Sequence, residues 1–209
     1  MDVAELLAPL PPLTDGGPAE LAGGTADGLR FADLEPTGEA GQLLECLLEG
    51  CALDGLSLVR ARLSTTGLLR CTATELLARD GTWLDAVVEG GRYGAFTAHG
   101  ASWTRVVLTG VRADYVNLRG ATLVEVELVD CTLRELDLGG ADLRRVRVAG
   151  GELGTLHLSG ARCRDVDLTG AGLPDLDGVT GLRGATISDA QLAGWSGGMA
   201  AELGIRVAR

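Results

Sequence analysis

Residues Gly194-Trp195-Ser196-Gly197-Gly198 spell G-x-S-x-G, the turn that lifts a nucleophilic serine off a strand end in α/β hydrolases. Here the motif lies in a stretch with helical signals, and no strand precedes it. A general base is also missing, because His99 and His157, the only two histidines, take outward positions in the repeat that surrounds them. The match reads as accidental, and no catalytic residue is assigned. Five cysteines offer no better chemistry. Cys46, Cys51, Cys71 and Cys131 share one inward position and Cys163 another, their number is odd, and no C-x-x-C pair exists, so they read as small apolar packing. No phosphate loop, metal cluster or basic aromatic patch is present, so no cofactor, no metal and no direct nucleic-acid contact is expected.

The elements that would position any site follow from a period of five. From Leu43 to Leu173 an apolar residue occupies every fifth position, 27 in all and 17 of them Leu. The positions two residues earlier, from Gly41 to Ala171, are uncharged, and Thr66 alone among them is polar. Five matches neither the helical 3.6 nor the strand 2.0, so this is one unit repeated, with two inward and three outward residues. A longer period of twenty links Ala121, Ala141 and Ala161, and likewise Val126, Val146 and Val166. Four units therefore make one coil, and Cys51 should stack on Cys71. Glycines 110, 120, 140, 150, 160 and 170 fall at unit boundaries and read as turns. Wide residues Trp83, Tyr93 and Trp103 alternate with Ala73, Ala78, Ala98 and Ala113, which reads as large-small complementation; a looped coil between 73 and 100 is the other reading.

Three segments result: 1–42, acidic and Pro-rich, with an irregular first turn around Leu29, Phe31 and Leu34; 43–178, the repeat body; and 179–209, a cap. The register slips by one between Gly178 and Leu182. Ser188 and Gln191 then have capping-box spacing, and Leu192, Trp195, Met199 and Leu203 share a helical stripe that ends at Gly204. Ile205 and Val207 alternate as in a short strand. No span of about 18 apolar residues appears and no basic leader opens the chain, so a soluble cytoplasmic protein without membrane contact is expected.

The units resemble the pentapeptide-repeat family, whose motif is roughly Ala-Asp/Asn-Leu-x-x. Ala141-Asp142-Leu143 and Ala32-Asp33-Leu34 match it fully, and Val116-Asn117-Leu118, Leu136-Asp137-Leu138 and Val166-Asp167-Leu168 match apart from the first residue. The resemblance implies an all-β solenoid, a right-handed quadrilateral β-helix of about seven coils of four units, with a C-terminal helical cap. It also implies a non-enzymatic interaction protein. Some family members mimic duplex DNA and bind DNA gyrase or topoisomerase IV, conferring antibiotic resistance, and a C-terminal helix commonly joins two of their β-helices. By that resemblance Leu192, Trp195, Met199 and Leu203 are the candidate homodimer contact.

Charge is the remaining candidate chemistry. The net charge is −11, of which residues 1–42 hold −7 and the repeat body −5. Two adjacent sides carry the acidity of the body, as one edge: Glu49, Asp54, Glu75, Glu89, Asp114, Glu127, Asp130, Glu135, Glu152, Asp167 and Asp175. Arginines are interspersed, leaving about one net negative charge per ~5 Å of rod, against one per ~1.7 Å in duplex DNA. A topoisomerase-binding DNA mimic and an interaction scaffold without a topoisomerase target are therefore both open.

Overall fold

A side of five residues is too short to be stable alone, so its backbone must find partners in the turns above and below. The computed structural model describes residues 3–22 and 24–207. It pairs residue i with i+20 in parallel through the repeat body, as in the column Leu43, Leu63, Trp83, Trp103, Leu123, Leu143, Cys163. Two strand lengths alternate. Arg62–Leu69, Thr82–Glu89, Ser102–Thr109, Thr122–Val129 and Asp142–Ala149 bend over a corner and serve two sides. Thr72–Leu77, Arg92–Thr97, Arg112–Asn117, Thr132–Asp137 and Glu152–His157 form the other wall. The result is a parallel β-solenoid of about eight turns with a C-terminal helix. Residues 73–100 keep regular coils.

The corners need a left-handed backbone. Asp85, Arg105, Glu125 and Arg145 stack at one corner with φ of 52° to 56°. Such φ values are costly for residues with a Cβ. The column offsets part of the cost with alternating charge: Arg105 donates to Asp85 at 2.8 Å and Arg145 to Glu125 at 3.0 Å. At another corner Gly120, Gly140 and Gly160 supply the positive φ directly. Gly170 does not, because it lies within the strand Val166–Gly170.

The inward residues fill the interior. Tyr93 sits between Ala73 and Ala113 on neighbouring turns, as large-small complementation requires. Phe96, at the position normally held by a small residue, is fully buried against Trp83, Tyr93 and Trp103. Cys51 and Cys71 are stacked buried neighbours; the hydrogen bond to Cys51, together with burial, pushes the Cys71 thiol up.

Helix α1 (Val3–Leu7) lies outside the solenoid, whereas α2 (Pro18–Leu21) buries Leu21 over its first turn. That turn is contracted: Thr25 pairs with Gln42, Arg30 with Leu47 and Thr37 with Gly55, offsets of 17 or 18 rather than 20. Phe31 fills it, with Leu29 and Leu34 packed alongside.

At the other end Val166 pairs with Ala185, an offset of 19 that accommodates the register slip. Helix α3 (Asp189–Glu202) follows, with both arms of the capping box formed between Ser188 and Gln191. Two expectations fail here. Leu173 is 58% exposed instead of inward: the turn loses its register at a bulge beside Arg147, and Pro174 has no N–H to pair. Residues 205–207 form no strand, because α3 already occupies the end of the solenoid, and Ile205 and Val207 are exposed. Among the described residues no helix is long and apolar enough to cross a membrane.

Candidate interaction surface

Each outward position of the unit becomes a column along the solenoid, with neighbours one strand spacing apart. The corner column of one side reads Glu75, Ala95, Tyr115, Glu135, Thr155, Asp175, so its acids stand three and then two turns apart, about 14 and 10 Å. A column of the adjacent side reads Leu47, Gly67, Val87, Val107, Glu127, Arg147, Asp167. Its first half is apolar and its second half alternates in sign. The acidic residues therefore share two sides, but arginines or apolar residues separate them.

Several of these acids are committed to neighbours. Glu49 lies between two arginines, accepting from Arg30 Nε at 2.6 Å and Arg70 Nη2 at 3.1 Å, and the bond from Arg30 leads in holding its carboxyl below the usual range. Asp54 accepts from the Thr74 amide at 2.7 Å, which lowers its pKa. Asp167 accepts from the Thr169 hydroxyl and amide at 2.6 and 2.9 Å, with the same effect. Glu75 accepts from the Thr97 hydroxyl, and Glu135 meets His157 Nε2 at 3.0 Å. Asp130, Glu152 and Asp175 are exposed and make no side-chain hydrogen bond or ion pair among the described residues. Asp114 is also exposed, and Glu89 and Glu127 are half-buried.

A feature that sequence reasoning missed lies on the same edge. An open groove of about 470 Å³ runs over Ala113 and Leu133, bordered by Arg92, Arg112 and Arg134 against Asp114 and Glu152. Three guanidinium groups facing two carboxylates make this stretch locally basic. The signal was present in the sequence: Gly94 and Gly154 flank Asp114 and Arg134 in one outward column, leaving the floor uncovered. A Cβ at Gly154 would come within 2.6 Å of the Arg134 carbonyl.

The C-terminal candidates are divided by the structure. Trp195 is 6% exposed and donates its Nε1 to the Pro174 carbonyl at 2.9 Å, and Met199 is half-buried. Leu192 and Leu203 are 52% and 70% exposed. The buried face of α3 is rotated toward Gln191, about 100° per residue from Leu192. The reason is polar: Gln191 Nε2 donates to the carbonyls of Leu168 and Gly172, both at 2.7 Å, satisfying the last turn. Glu202 accepts from the amides of Val179 and Thr180 at 2.9 and 3.3 Å. Ser196 is carried on α3 with its hydroxyl donated to the Ala193 carbonyl, not on a strand-to-helix elbow. Among the described residues no cluster of His, Cys, Asp or Glu has the arrangement of a metal site.

Residues 114–148 match the family model described as "Pentapeptide repeats (8 copies)". No curated protein matches the chain. Among solved structures, the chain is similar to trypsin-treated QnrB1, a plasmid-mediated fluoroquinolone resistance protein, at 19% identity and a TM-score of 0.42, over 90% of this chain and 92% of that one. The matched segment, seven five-residue units long, is in phase with the register that runs from Leu43 to Leu168, so this part of the solenoid is similar to pentapeptide repeats.

Proposed function

We propose that this protein is a non-enzymatic, cytoplasmic interaction protein that presents the outer wall of its solenoid to a macromolecular partner. The observation that carries this reading is the exposed, uncommitted acid set of Asp130, Glu152 and Asp175 on a wall whose interior is filled with side chains. Such a wall offers area and charge to a partner, and the groove over Ala113 and Leu133 is open to solvent.

The partner of this reading is DNA gyrase or topoisomerase IV, engaged at the surface that otherwise binds duplex DNA. Outward carboxylates on two adjacent sides support it, and they lie mainly in the second half of the solenoid. The pairing of Glu49 with Arg30 and Arg70, and the arginines around the groove, favour a second reading, a scaffold for a different protein partner. Exposed Leu192 and Leu203 would join two copies end to end, because a symmetric contact buries both leucines of each. Supercoiling by the host gyrase, titrated with purified protein, separates the two readings. Inhibition at micromolar concentration supports mimicry. No effect on gyrase or topoisomerase IV, with a different protein recovered from host lysate, supports the scaffold.

A further inference from the structure

Outward positions on a solenoid are normally polar, yet Leu47, Gly67, Val87 and Val107 form an unbroken apolar column. Val87 and Val107 are nevertheless buried, at 0% and 1% exposure. Helix α1 covers them: Leu6 is 8% exposed against the two valines, and Val3 and Leu7 pack beside it with Leu69. Leu7 lies against Gly67, where a Cβ would make ordinary contact with its Cδ1 at 3.4 Å and a tighter one, 2.8 Å, with Leu47 Cδ1. Glu5 points to solvent. One turn higher the column changes to Glu127.

The connection to the solenoid is short and stiff. Residues 8–13 include Pro9, Pro11 and Pro12 and lead to Thr14, on the first strand. Asp15, Arg30, Leu47, Gly67 and Val87 are successive members of one column, so α1 sits three to four strand spacings from its anchor, about 14–19 Å. Leu10 donates its amide to the Leu7 carbonyl at 3.1 Å, so the tether begins with a turn, and even wholly in polyproline conformation its seven residue steps would span no more than about 22 Å. The tether reaches the strip with little slack. A five-residue helix has little stability of its own, and its attachment rests on three apolar side chains, so it belongs to the part of the molecule that opens locally before the solenoid does.

We propose that the Gly67–Val87–Val107 strip is a docking groove for a short apolar helix, closed in cis by α1 and available in trans when α1 lifts. Its ligand is a helix that presents Val or Leu at i, i+3 and i+4, the pattern of Val3, Leu6 and Leu7. The inference is independent of which partner the acidic wall binds.

The test uses the full-length chain with Val3→Asp and Leu6→Asp, which removes the apolar face of α1 but leaves every solenoid residue in place; Leu6→Ser is the milder form. A fluorescent peptide of residues 1–13 should bind this opened protein at least tenfold more tightly than wild type, whose own α1 competes at the high effective concentration set by its tether. Val107→Asp in the opened protein should abolish binding. Absence of peptide binding to an opened variant that melts cooperatively, or equal binding to wild type and to Val107→Asp, overturns the proposal.

Discussion

Trp83 and Trp103 lie one turn apart inside the solenoid with ring centroids 4.9 Å apart and planes inclined by 19°, and neither indole N–H has a hydrogen-bond partner among the described residues. Their stacking is bought with two unsatisfied donors, so the net value of the pair comes from area and ring contact. Trp103→Ala should cost about 3–5 kcal/mol in urea melts, and a double-mutant cycle with Trp83→Ala should return a coupling of about 0.5–1.5 kcal/mol. Trp103→Phe should cost much less than the alanine change, because it keeps a ring and removes an orphaned donor. A Phe variant as unstable as the Ala variant would contradict this view of the core.

Leu138 is 2% exposed, while Arg134, four residues earlier, faces solvent at the groove. Leu138→Asp would bury an unpaired carboxylate and should remove several kcal/mol, enough to unfold much of the solenoid. Arg134→Asp should stay within about 0.5 kcal/mol of wild type. Thermal melts of the two proteins check the five-residue register directly.

His157 carries a pH dependence. Its Nε2 lies 3.0 Å from Glu135 and its Nδ1 3.2 Å from Asp177, so both ring nitrogens can donate only when the imidazole is charged. Burial lowers its pKa, but the bond to Asp177 and the charges of Asp137 and Glu135 outweigh it, and the net shift is upward. Asp137, which also faces it, is held by Arg119 and Tyr115. A raised folded-state pKa stabilises fully below the unfolded value of about 6.5, and this stabilisation is lost as pH rises through the folded value. The melting temperature should therefore fall as pH rises from the unfolded value of about 6.5 through the folded one, and His157→Gln should flatten that slope. An NMR titration that places the His157 pKa below about 6.5 would refute it.

Gln191 closes the C-terminal end by donating to two carbonyls that no further turn can reach. Gln191→Leu keeps the bulk but strands the Gly172 carbonyl and leaves that of Leu168 with the Ala171 amide alone, and should cost about 1–3 kcal/mol. Hydrogen exchange should show the loss first in the strand Val166–Gly170, before the middle of the solenoid responds.

The period of five made the walls legible. An apolar residue at every fifth position, uncharged positions two before it and charge confined to the rest leave little room for another architecture. The ends were harder to read, because they depart from that period: a first turn shortened to 17 or 18 residues, and a last one in which Leu173 leaves the core before Pro174. Phe96 was hidden by occupying a position reserved for small residues. The direction of α3 is not legible in its apolar stripe, because Gln191, readable from spacing only as a capping residue, also turns its Nε2 to the Leu168 and Gly172 carbonyls. For the surface, counting charge by side identified where the acids lie, but not that Glu49 is shared by two arginines from different turns, or that Arg92, Arg112 and Arg134 gather around a groove. Val87 and Val107 at outward positions were the readable trace of the covering helix.

The central claim is that exposed carboxylates in the second half of the solenoid contact the partner. Asp130, Glu152 and Asp175 are the residues to change, because reversing them disturbs no recorded side-chain bond and should leave the melting curve close to wild type. The decisive measurement is the titration of gyrase supercoiling with wild type and with the Asp130→Arg, Glu152→Arg, Asp175→Arg protein, repeated at two salt concentrations. Wild type should inhibit, more weakly at the higher salt as expected for contact between opposite charges, and the triple variant should lose at least tenfold in potency. A triple variant that inhibits as well as wild type, or inhibition by wild type that does not respond to salt, would contradict it.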